Sequence, residues 1–194
     1  MRPGMTIEFE YDIEKAIHAM AYLVDRLGQV EKVKLMKLLY LADRDHFVEH
    51  GVPITRDTLY ALPFGPVPSR TLDVLNGQYL EHHNRVFEYL HVDDNNVSCR
   101  AKPGVDALTD TEKKVLDRVI AEFGATSRWR LVRQTHELPE YKEVFREGTS
   151  TRIPYEIILK HHGGERRYRH GRPVISPKMA AHIVCPFPQS EPDL

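Results

Sequence analysis

The stretch "EKVKLMKLLYLADRDHFVEHG", residues 31–51, decides the fold class. Leu35, Leu39 and Ala42 recur along one helical face, Met36, Tyr40 and Phe47 along another, and Gly51 supplies a stop. A helix that is apolar on two faces needs neighbours on both. The spacing therefore predicts the central helix of a bundle.

On its N-terminal side, "YDIEKAIHAMAYLVDRLG" carries Ile13, Ile17, Met20, Val24 and Leu27 at helical spacing between a capping Asp12 and Gly28. On its C-terminal side, Pro53, Pro63, Pro66 and Pro68 forbid a continuous helix. A shaped connector is expected there, with an extended piece at 59–62 and a short helix N-capped by Ser69. "VFEYLHVDDNNVSCRA" predicts a hairpin of two β-prone runs around Asp93, Asp94, Asn95 and Asn96. "LTDTEKKVLDRVIAEFG" has a capping box in Thr109 and Glu112, with Leu108 placed as a staple and Gly124 as the stop. Short helices are expected at "TSRWRLVRQTHE", "LPEYKEVFREG", "TRIPYEIILKHHGG" and "SPKMAAHIV". The polar turn "GERRYRHGRP" joins the last two. The fold class expected is mainly α (α+β): a compact helical bundle with a small β-hairpin. One domain over 6–184 is expected, followed by a flexible proline-rich tail over 185–194.

Bulk properties narrow the function. With 41% hydrophobic and 28% charged residues in 194, the chain has the make-up of a globular domain. A formal charge of −1 gives no global pull towards nucleic acid or anionic membrane. No apolar run could span a bilayer, and "MRPGMTIEFE" lacks the apolar core of a signal peptide. Cys99 and Cys185 are far apart and form no metal or redox pair, so a cytoplasmic setting is expected. There is no Gly-x-Ser-x-Gly elbow, no phosphate-binding Gly-rich loop and no dinucleotide fingerprint. Neither an enzymatic role nor a cofactor is indicated.

Three segments raise specific chemistry. "HFVEH" spells His-x-x-Glu-His, which would set His46, Glu49 and His50 on one helical face as in a zinc hydrolase. Against this, His46 continues the Leu35–Leu39–Ala42 stripe and Gly51 ends the helix at once. A third ligand is also missing from any motif. Between Phe145 and Ile175, seven basic residues (Arg146, Arg152, Lys160, Arg166, Arg167, Arg169, Arg172) face three acids (Glu147, Glu156, Glu165). That patch suits an acidic partner, or is a solvated turn. His161, His162 and His170 lie in the same stretch without a cysteine or carboxylate at ligand spacing. Finally, residues 112–137 have the outline of a helix-turn-helix, with Arg128, Arg130, Arg133 and Gln134 free to face a groove. There, Trp129, Leu131 and Val132 give the second helix much apolar surface to bury.

Three stretches in order, 34–55, 60–75 and 131–144, resemble the Panacea domain, also called the SocA-like antitoxin domain, of bacterial and phage-associated proteins. Its pattern maps onto Lys34, Leu35, Lys37, Leu38, Leu39 and Tyr40, then onto Gly51, Pro53 and Ile54. It continues through Tyr60, Ala61, Phe64, Gly65, Pro66 and Val67, and later through Thr135, His136, Pro139, Glu140 and Tyr141. Two departures stand out: Leu62-Pro63 before Phe64, and Tyr141 where tryptophan is usual. The resemblance covers most of 10–147.

The resemblance implies an antitoxin that neutralises a cognate toxin, encoded by a neighbouring gene, through protein–protein binding. A variant of that mode delivers the toxin to a protease. It implies no metal at 46–50 and a scaffold role for the "FGPVP" turn. The DNA-binding regulator and the zinc hydrolase are the alternatives. The hairpin acids Asp93 and Asp94 and the basic Arg166, Arg167 and Arg169 are the candidate partner surfaces, because loops vary freely on a shared scaffold.

Overall fold

The computed structural model describes residues 6–78, 80–101 and 107–163, with backbone alone at 80–83 and at the strand pairs 168–169 and 172–173. The first helix, α1 (Ile13–Leu27), starts where Asp12 Oδ1 accepts the Lys15 amide at 3.1 Å. A short strand, β1 (Val30–Glu31), leads into α2 (Lys32–His50), which closes at a left-handed Gly51 whose amide donates to Phe47. As the two-faced pattern requires, α2 is buried along eleven of its residues. It packs against α1 and β1 and, further along the chain, against residues 65–68, 110–123, 128–136 and 155–162.

The connector is more regular than its prolines suggest. β2 (Leu59–Leu62) pairs antiparallel with β3 (Gly65–Pro68), so "GPVP" is a strand and Pro63-Phe64 the turn. β2 also pairs with β6 (Thr151–Arg152), which makes β2 the middle of three strands. The next helix, α3 (Ser69–Leu75), begins one residue earlier than expected: Ser69 is its first residue and Pro68 its cap. Proline offers no capping side chain. Instead the buried Asp57 carboxylate accepts from the amides of Arg70 (3.0 Å) and Thr71 (2.7 Å) and from the Thr71 hydroxyl. The capping function thus comes from two residues before the start of β2, whose Leu59 pairs with Pro68.

The predicted hairpin is present but shorter. Residues 86–89 belong to a helix, α4 (Leu80–Tyr89), and the strands are β4 (Leu90–Asp93) and β5 (Asn96–Cys99). β1 joins β5, with Val30 opposite Val97, giving the order β1-β5-β4. α5 (Asp110–Phe123) carries the full Thr109–Glu112 capping box. Glu112 also pairs with Lys15 of α1, and Lys34 Nζ donates to the Gly124 carbonyl at 2.6 Å, satisfying the end of α5. α6 (Arg128–His136), α7 (Pro139–Val144) and α8 (Tyr155–His162) follow as expected. A backbone ladder joins β7 (Tyr168–Arg169) to β8 (Arg172–Pro173) where a polar turn was anticipated. The helix expected at "SPKMAAHIV" and the tail over 185–194 lie outside the described residues. The chain is thus mainly helical with small antiparallel sheets, around a core built on α1, α2 and α5.

Candidate partner-binding site

The family-like segments, separated by up to a hundred residues, meet where β3 crosses α2 and α6. Lys37, only 1% exposed, sends its ammonium to the Pro66 carbonyl at 2.8 Å. Burial pulls that ammonium down to about 7. Gly65 sits at φ +95°, and a Cβ there would lie 2.8 Å from Thr135 Oγ1 and 3.0 Å from Lys37 Cε. Only glycine satisfies both constraints. Thr135 donates its hydroxyl to the Val132 carbonyl inside α6 at 3.0 Å.

Behind the turn, three rings form a stack. His136 lies on Tyr141 at 4.9 Å and 4°, and Tyr141 on Phe145 at 4.9 Å and 16°. His136 Nε2 is enclosed without a hydrogen-bond partner, and burial plus the nearby Lys37 charge hold its imidazole below the usual range. Beside the stack, Glu140 is fully buried. It accepts from Tyr40 Oη at 3.0 Å and meets His162 Nε2 at 2.6 Å, with Arg44 Nη1 3.9 Å away. Burial alone would raise this carboxyl, but His162 and Arg44 outweigh it and hold it below the ordinary value.

What this frame presents outward is aromatic. Phe64, at the tip of the β2–β3 turn, is 57% exposed, and Trp129, in the first turn of α6, is 52% exposed. Their ring centroids are 6.1 Å apart. The expectation that Trp129 would be buried with Leu131 and Val132 is corrected here. Leu131, Val132 and Thr135 form the inward face of α6, and helical periodicity turns Trp129 outward. Arg128 lays its guanidinium over the indole, 4.4 Å from the ring centroid, and pairs with Glu31 at 3.0 Å. Along the same outward face, Arg130, Arg133, Gln134, His136 and Glu137 line an open groove of about 710 Å³.

The other sequence-nominated residues are placed as follows. His46 Nδ1 contacts the Val52 carbonyl at 2.6 Å, and Nε2 lies 3.4 Å from Thr111 Oγ1. Burial lowers its proton affinity. Glu49 is engaged by Arg118, while the His50 ring lies 4.5 Å from that of His46, tilted by 42°. Among the described residues no group of three or more His, Cys, Asp or Glu is positioned to hold a metal. His161 and His162 are taken up by Glu143 and Glu140, each at 2.6 Å. Asp93 and Asp94 are exposed at the β4–β5 tip, on the sheet that does not contain β2 and β3. Arg166, Arg167 and His170, with the side chain of Arg169, lie outside the described residues. Tyr60 sits opposite Val67 and Arg152, Pro53 is buried behind Gly51, and Pro139 opens α7. Leu38 is wholly buried in α2. No described helix is long and apolar enough to cross a membrane.

The family model described as "Antitoxin SocA-like, Panacea domain" matches residues 35–142. No curated protein and no solved structure matches the chain.

Proposed function

The chain belongs to the SocA-like antitoxin, Panacea-domain family, whose model spans residues 35–142, and from that premise we propose that it neutralises a cognate toxin by binding it directly. The match carries this reading, because it spans every segment that builds the Lys37–Gly65–Thr135 frame, together with Tyr40, Arg44 and Glu140 of the neighbouring cluster. The role proposed for the chain is recognition and not chemistry. Lys37 and Glu140, two buried charged groups, are committed to partners within the chain. A binding face covers the toxin's active site or its substrate entry. The same contact serves if the complex is then handed to a protease. The setting proposed is the cytoplasm, with the partner encoded by the adjacent gene.

Co-expression tests this. Growth is scored with the adjacent gene induced alone and together with this chain, followed by pull-down through a tag on this chain. Rescue of growth together with a stable complex supports the antitoxin role. A harmless neighbour that does not bind removes it.

A further inference from the structure

We infer that the Phe64–Trp129 pair, with the unpaired arginines of α6, is the surface on which the toxin docks, and that it takes an acidic segment bearing an apolar anchor. The inference rests on the antitoxin role proposed above and names the face and the chemistry that serve it.

Among the described residues, Phe64 and Trp129 are the large hydrophobic side chains that stand exposed, and they stand together. They come from two elements far apart in sequence, so no local turn requires their pairing. Each is held in place from behind. Gly65 is wedged against Thr135 and Lys37 directly after Phe64, and Trp129 is sandwiched on one face by Arg128, itself tied to Glu31. Rigid, uncovered aromatics lose little conformational entropy on being covered, which is why tryptophan and tyrosine dominate the centres of protein interfaces.

Charge selects the occupant. Several arginines elsewhere are neutralised by acids: Arg26 by Asp117, Arg85 by Glu14, Arg118 by Glu49 and Arg152 by Glu8. Arg100 and Arg146 are taken up by backbone carbonyls, and Arg70 lies against the Tyr11 ring. Arg130 and Arg133 make neither an ion pair nor a hydrogen bond among the described residues; both line the groove along α6, and Arg133 follows Trp129 by one helical turn. Glu137, the acid of the groove, is paired with Lys142. The face therefore offers two unspent positive charges next to an apolar centre. A protein segment with carboxylates flanking an apolar side chain matches both parts. Nucleic acid fits less well, since tight duplex binding draws on roughly 6–10 phosphate contacts and this face supplies two free cations.

The test uses the full chain and the purified product of the adjacent gene, with affinity measured by calorimetry. Phe64→Ala and Trp129→Ala should each weaken binding by about thirtyfold, the loss typical of a central contact. Arg130→Glu with Arg133→Glu should weaken it at least tenfold, with a flatter dependence on salt than the wild type. Asp93→Lys with Asp94→Lys, on the hairpin, should leave it unchanged. All four residues replaced on the proposed face are exposed, so unchanged melting temperatures separate lost contact from lost fold. Wild-type affinity in the aromatic and arginine variants overturns the surface while leaving the antitoxin role intact. Loss confined to the hairpin variant overturns it in favour of that tip. If the wild type neither binds nor rescues growth, the antitoxin role fails and the surface with it. Salt-dependent binding of a labelled oligonucleotide, lost in the arginine variant, overturns the protein occupant.

Discussion

The hydroxyl of Tyr141 donates to the carbonyl oxygen of Leu62, 2.9 Å away. These are two positions at which the chain departs from the family pattern, and they touch. A tryptophan at 141 would present its N–H from a different point of a larger ring. A tyrosine instead reaches the strand end that Leu62-Pro63 creates. Tyr141→Phe should therefore lower the unfolding free energy by about 1 kcal/mol, the net worth of one such bond. Denaturant titration at neutral pH measures it, and a loss within error of zero would mean that water replaces the phenol.

Gly65 and Gly28 make a controlled comparison. Both have positive φ, +95° and +74°, but a Cβ at Gly28 meets nothing within 4 Å, whereas at Gly65 it meets Thr135 and Lys37. Gly28→Ala should cost about 1 kcal/mol from backbone strain alone. Gly65→Ala should cost more, by about 1–3 kcal/mol, from overpacking. Equal losses would show that the β3–α6 contact yields freely.

Glu140 joins α2, α7 and α8 through one buried carboxylate. Replacing it by alanine leaves Tyr40 and Arg44 facing a void, so Glu140→Ala should cost about 3–5 kcal/mol. Tyr40→Phe removes one bond and should cost about 1 kcal/mol. The Glu140 carboxyl is held below its ordinary value, so its contribution is present above the unfolded pKa near 4.5 and is lost as pH falls below it. The gap between wild type and Glu140→Ala, followed by thermal melts, should accordingly narrow in acid.

Much of this architecture is legible in the sequence because its signals are local. Asp12, the Thr109–Glu112 box and Gly51 mark helix ends through contacts three or four residues away. What escapes is long-range. Residues 86–89 read as β-prone, yet burial of Val86 against the core holds them in α4. The two-residue strands β1 and β6 exist only through their partners, Val97 and Tyr60. Asp57 takes over the cap expected of Ser69 from fourteen residues before Thr71. At the candidate site, the motif residues are visible in sequence but their convergence is not. Trp129 beside Leu131 and Val132 looks like core. Taking Leu131, Val132 and Thr135 together as the inward face would have turned it outward.

Lys37 and Asp43 give the fold a pH signature with two slopes. Burial brings the Lys37 ammonium down to about 7 from 10.5 and lifts the Asp43 carboxyl to about 7 from 3.8, even though the amide and hydroxyl of Thr55 both donate to it. Between about 4 and 7 the native state holds a proton on Asp43 that the unfolded chain has released, so this group's stabilisation declines as pH rises. Between about 7 and 10.5 the unfolded chain holds a proton that native Lys37 has released, so stability climbs with pH. Asp57, also raised by burial, adds to the first slope. Lys37→Met should abolish the alkaline rise. Below pH 7 it should be as stable as wild type to within about 1 kcal/mol, because losing the Pro66 bond offsets relief of the buried charge. Asp43→Asn should reduce the acid-side decline and leave the Asp57 part. Urea titrations across this range read both differences directly. A wild-type-minus-Lys37→Met difference that stays flat from pH 7 to 10 would mean that Lys37 keeps its proton in the folded protein.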